Sequence, residues 1–77
     1  MDVFARFAAE TALAQGVFRV VVSYGGGKLT ALDFEELSKA QVYADDVAAE
    51  WSDEPQLAFV YDATFTRIYE GRAYFSR

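Results

Sequence analysis

Hydrophobic and polar positions recur along this chain in two rhythms, and the switches between them mark its elements. From Ser38 to Trp51, the residues Ala40, Tyr43, Ala44, Val47, Ala48 and Trp51 fall at the i, i+3, i+4, i+7 spacing of one helix face. Ser38 can cap the first turn through its hydroxyl, with Gln41 completing a capping-box pattern. Pro55 disfavours helical geometry at Glu54, so the pattern predicts an amphipathic helix over 38–51. Ahead of it the period is two. Phe18, Val20, Val22 and Tyr24 share one face of a strand over 17–24, and Val17, Arg19, Val21 and Ser23 share the other. Gly25, Gly26 and Gly27 permit the positive φ angles of a tight hairpin, from which 28–34 returns as a second strand.

The flanks follow the same logic. Residues 2–14 predict a first helix, with Asp2 as N-cap, a run of alanines as helix formers and Gly16 as a left-handed stop. Only Arg6, Glu10 and Thr11 interrupt its apolar surface. After Pro55, 57–62 and 65–70 read as a third and a fourth strand, with Asp62, Ala63 and Thr64 marking the turn. A two-residue turn at Ala63 and Thr64 puts Leu57, Phe59, Tyr61, Thr66 and Ile68 on one face. One residue more joins Val60 to Ile68, because a slip exchanges the faces of a strand. The first register is preferred, since it offers the larger apolar surface to Val47 and Trp51. Gly71 is expected to end the pairing, leaving a short aromatic tail over 72–77.

Helix, hairpin, helix, hairpin is an α+β order. It predicts a single domain over 1–77, a four-stranded antiparallel sheet from two hairpins packed with an N-terminal and a central amphipathic helix. Helices gathered on one face would bury both apolar stripes. Yet both sheet faces carry apolar residues, and the chain holds seven Phe, five Tyr and Trp51. Either the first helix covers the second face, or that face is left for a protein partner or a homodimer.

Composition removes most chemistry. There is no cysteine, hence no disulfide, thiolate metal site or cysteine nucleophile, and no histidine to activate Ser23, Ser38, Ser52 or Ser76. The run from Tyr24 to Thr30 departs from GxxxxGK[ST], because Leu29 follows Lys28 and a strand follows the loop. The acids lack the glycine-centred alternation of a calcium loop. Neither a cofactor nor a metal is expected, and neither is catalysis. No apolar run approaches the length of a membrane span, and the N-terminus lacks a basic region leading into an apolar one.

Charge is the remaining signal. Nine acids (Asp33, Glu35, Glu36, Asp45, Asp46, Glu50, Asp53, Glu54 and Asp62) stand against Lys39 between positions 33 and 62, a net of −8 within a chain total of −5. Such a field repels nucleic acid and attracts a basic partner. Asp45, Asp46 and Glu50, with Glu35, Glu36, Asp53 and Glu54, are the candidate partner-binding residues. Size, acidity and element order resemble the small phage-encoded anti-CRISPR inhibitors that act on type I systems. The resemblance implies a non-catalytic, cytoplasmic protein of a bacterial host that binds the type I surveillance complex (Cascade) and blocks target DNA, with acids set against its lysine-rich grooves. Against this stands the alternative of a self-associating structural or adaptor domain.

Overall fold

A computed structural model describes residues 2–24, 27–49 and 57–71. Its elements follow in the order α1 (Val3–Ala8), β1 (Phe18–Ser23), β2 (Leu29–Phe34), α2 (Leu37–Ala48), β3 (Leu57–Tyr61) and β4 (Arg67–Glu70). The strands form one antiparallel sheet in the order β2-β1-β3-β4. Both hairpins keep their own strands as neighbours, and they join through the central pair β1–β3. The chain passes from β2 to β3 by way of α2.

The two sheet faces belong to different helices. Val20 and Val22 of β1, with Ala58 and Val60 of β3, pack against Ala40, Ala44 and Val47 of α2, and Phe18, Phe34, Leu37, Tyr43 and Tyr69 close the rim. On the other face Val21, Phe59 and Tyr61 meet Ala8 of α1, flanked by Phe4, Ala5, Phe7 and Phe65. Of the two arrangements the sequence left open, the structure has the one in which the first helix covers the second face. β1 is buried on both sides, as its run of consecutive valines requires.

The central helix follows its predicted stripe, with Ala40, Ala44 and Val47 buried. Its start does not follow the prediction. The N-cap is Glu36, whose side chain makes no cap bond, so the Ser38–Gln41 box does not form. Leu37 packs on the core and draws the first turn one residue closer to β2. The helix closes at Ala49, and the predicted end at Trp51 lies outside the described residues.

Expected over 2–14, α1 spans six residues. Asp2 is its N-cap as predicted, accepting a hydrogen bond from the Ala5 backbone N–H at 2.7 Å. Its early end has its cause in a strand residue: the Arg19 guanidinium donates to the carbonyls of Ala8 and Thr11 at 2.7 and 2.8 Å and to that of Ala12 at 3.4 Å. A continued helix would need those carbonyls for its own N–H groups. Gly16 does adopt a left-handed φ of 81°, but it serves the turn in which the Val17 N–H bonds the Ala14 carbonyl, just ahead of β1.

The second hairpin corrects the preferred register. Tyr61 lies opposite Arg67, Val60 opposite Tyr69 and Phe59 opposite Glu70, with an irregularity between Val60 and Tyr61. Phe65 takes a φ of 60°, donates its N–H to the Asp62 carbonyl and is followed by an Asp62–Thr66 backbone bond. This is a three-residue loop ending in a left-handed residue. The β1–β3 ladder places Phe59 beside Val21 and Val60 beside Val20, so Phe59 and Tyr61 face α1, while Ala58 and Val60, rather than they, face Val47. The strand ends at Glu70, so Gly71 closes the pairing as expected, its N–H donating a last bond to the Ala58 carbonyl at 2.8 Å. A Cβ there would meet the Ala44 carbonyl carbon at 2.7 Å and its oxygen closer still, so β4 passes beneath α2 where only glycine fits.

Candidate functional site

Two arginines on the α1 face organise its charge. Arg19 is buried and pairs with Asp33 directly across the β1–β2 ladder, its Nε and Nη2 donating to the two carboxylate oxygens at 2.7 and 2.9 Å. That two-pronged bond raises the Arg19 pKa above its ordinary value. Arg67 lies 3.9 Å above the Phe59 ring, donates to the Tyr61 hydroxyl and pairs with Asp2 at 2.7 Å. Burial pushes the Tyr61 phenol up, with the Arg67 hydrogen bond opposing. One arginine therefore holds the carbonyl end of α1 and the other, through Asp2, its N-terminal end. Sequence reasoning singled out neither; the signal was an arginine placed among apolar strand positions.

The predicted acids do not form one line. Asp45 is half-buried and turns toward β4, accepting a bond from the Tyr69 hydroxyl at 2.9 Å to each carboxylate oxygen. Glu36 is exposed and pairs with Lys39 at 3.2 Å, one turn along. Glu35 and Asp46 are exposed. Glu50, Asp53 and Glu54 lie outside the described residues. Asp62, also counted in the acidic segment, folds back on its own turn: it accepts from the Thr64 N–H and hydroxyl and from the Thr66 N–H. The Thr64 hydroxyl, ahead of the Thr66 N–H, lowers its pKa.

The chemistry open to this surface is electrostatic. Ser38, Lys39, Val42, Tyr43 and Asp46 line a shallow depression of about 300 Å³, all from α2, so among the described residues no second element encloses a substrate there. Among the described residues no group of three acids is placed to hold a metal ion, and no helix is long and apolar enough to cross a membrane. What α2 and its approach from β2 offer is Glu35, Glu36 and Asp46 in water, with Lys39 as the base among them. No family model, curated protein or solved structure matches the chain.

Proposed function

We propose that this chain is a non-catalytic inhibitor that binds a basic, nucleic-acid-handling partner through its α2 side. It works as the anti-CRISPR proteins it resembles do, in the cytoplasm of a bacterial host, and its partner is a type I surveillance complex. The reading is carried by one observation. Arg19 and Arg67 are engaged internally with Asp33 and Asp2, so they do not offset the exposed acids at Glu35, Glu36 and Asp46. Duplex DNA presents one charge per about 1.7 Å of axis, and a groove built for phosphates attracts any surface of matching sign. Asp45 does not belong to that surface on this reading, because its carboxylate holds Tyr69.

The test is target-DNA binding by a purified type I surveillance complex, with and without this protein, at low and high salt. The expected result is loss of DNA binding with wild type, an effect that weakens as salt screens the contact. The triple variant Glu35→Lys, Glu36→Lys, Asp46→Lys should lose the effect. Undiminished DNA binding in excess wild-type protein would overturn the identification of the partner. Equal inhibition by the triple variant would move the contact away from α2.

A further inference from the structure

The two edges of the sheet are built differently. β4 has four residues, carries Arg67 and Glu70, and contains an irregularity in its ladder with β3. Short length, charge and a bulge are the usual protections against edge pairing. β2 has six residues in unbroken register with β1, no proline, and one charged side chain, Asp33, which Arg19 holds on the inner side. Leu32, in the middle of this edge, is 47% exposed.

The hydrogen-bond phase of β2 can be read from its turn. The Tyr24 N–H donates to the Lys28 carbonyl, so that pair is hydrogen-bonded, and by the alternation of the ladder so are Val22–Thr30, Val20–Leu32 and Phe18–Phe34. The N–H and C=O groups of Leu29, Ala31 and Asp33 consequently point away from β1, to an edge that no other described strand covers. These three positions are symmetric about Ala31. A twofold axis there pairs Ala31 with its own copy and Leu29 with Asp33 of the other chain, giving a complete antiparallel ladder in one register.

We propose that β2 pairs with β2 of a second copy of this chain, making one eight-stranded sheet with Ala31 on the twofold. Side chains agree with the register. Leu32 faces Thr30 of the partner copy and sits diagonal to its Leu32, which withdraws both leucines from water. Lys28 falls opposite Phe34 of the partner copy, next to its Glu35, and the two Asp33 side chains stay four positions apart along the ladder. Such an axis keeps both α2 helices on the same face. With strands about 4.8 Å apart, helices seated over β1 and β3 stand about 19 Å from each other, clear of a clash. The dimer goes beyond the inhibitor reading and does not depend on it.

The experiment is mass by light scattering or sedimentation on the full chain, from micromolar to millimolar, with three variants. Wild type should rise from the 8.6 kDa of one chain toward twice that mass. Ala31→Pro removes an edge-facing N–H and should hold the mass of one chain with an unchanged circular dichroism spectrum. Should that variant fail to fold, Leu32→Lys serves in its place with the same expected loss. A single-chain mass for wild type at every concentration, or a dimer that survives in a folded Ala31→Pro or Leu32→Lys variant, would overturn the proposal. The register has its own readout, since the chain contains no cysteine. Ala31→Cys should cross-link to itself under oxidation much faster than Thr30→Cys, and equal rates would reject the axis at Ala31.

Discussion

The Tyr69 hydroxyl reaches both carboxylate oxygens of Asp45 at 2.9 Å, tying the middle of α2 to the outermost strand on its side of the sheet. Removing the hydroxyl with Tyr69→Phe should cost about 1.5–3 kcal/mol, the range for a hydrogen bond to a charged group, read by chemical denaturation. A double-mutant cycle with Asp45→Asn should show coupling between the two sites, whereas additive losses would mean the contact contributes nothing of its own. Charge reversal at Asp45 therefore disturbs packing together with charge, and functional tests belong at Glu35, Glu36 and Asp46.

Gly71→Ala should destabilise the protein by about 1–3 kcal/mol, the cost of overpacking, because the atoms in the way are backbone atoms of Ala44 that cannot rotate aside. Gly16→Ala offers a contrast. Nothing lies within 4 Å of a Cβ at Gly16, so its cost is the left-handed φ of 81° alone, about 1 kcal/mol. Thermal and denaturant unfolding of the two variants separate steric from conformational causes.

Arg19→Met should cost about 3 kcal/mol, at the low end for breaking a buried ion pair because the Asp33 side chain is 42% exposed. The variant also leaves the carbonyls of Ala8 and Thr11 without their donor. Amide hydrogen exchange should accelerate first in residues 3–9, where α1 loses its anchor, before the β1–β3 pair is affected. Uniform acceleration across the sheet would count against a local role for Arg19.

Acid should weaken the fold through Asp2 and Asp62. Both carboxyls sit below their ordinary value of 3.8, Asp2 chiefly through the Ala5 N–H and Asp62 chiefly through the Thr64 hydroxyl. A group more acidic in the folded than in the unfolded chain contributes its stability in full above the unfolded value and loses it as pH falls through the folded one. From these two groups, stability should be level above about pH 5 and decline below roughly pH 4. Denaturation midpoints of Asp2→Asn with Asp62→Asn should show a shallower acid limb, and an unchanged limb would assign it to other carboxylates.

Phe65 holds a φ of 60° while packing on the α1-side core. Phe65→Gly should be close to neutral, since relief of about 1–2 kcal/mol of left-handed cost offsets the lost packing. Phe65→Val keeps the strain, adds β-branching and should be the less stable of the two in the same denaturation assay.

What the sequence made legible was what local pattern controls. Period two over Val17–Tyr24 and the glycines after it define the first hairpin, and the alanine, tyrosine and valine spacing defines the buried side of α2. What it concealed depends on partners distant in the chain. The end of α1 is set by Arg19, which holds the Ala8 carbonyl eleven positions back. The register of β4 is set by a phenylalanine in a conformation that favours glycine, and phenylalanine gives no local sign of it. Once that register was displaced, Tyr69 as the partner of Asp45 could not be anticipated, so the candidate site read as a continuous acidic line when one of its members faces inward. The remaining predicted acids, Glu50, Asp53 and Glu54, lie outside the described residues.

The strand order carries a kinetic consequence. Each hairpin closes over a short turn, but Val20 meets Val60 across forty positions of chain, a span that includes β2 and α2. Bringing those ends together costs loop-closure entropy before any of the seam's contacts repay it, and such non-local pairing slows folding. The β1–β3 seam is thus the slow step, and the hairpins and α2 are its ready-made parts. Truncations at Val20 or Val60 should retard refolding, while changes in either turn should act mainly on unfolding.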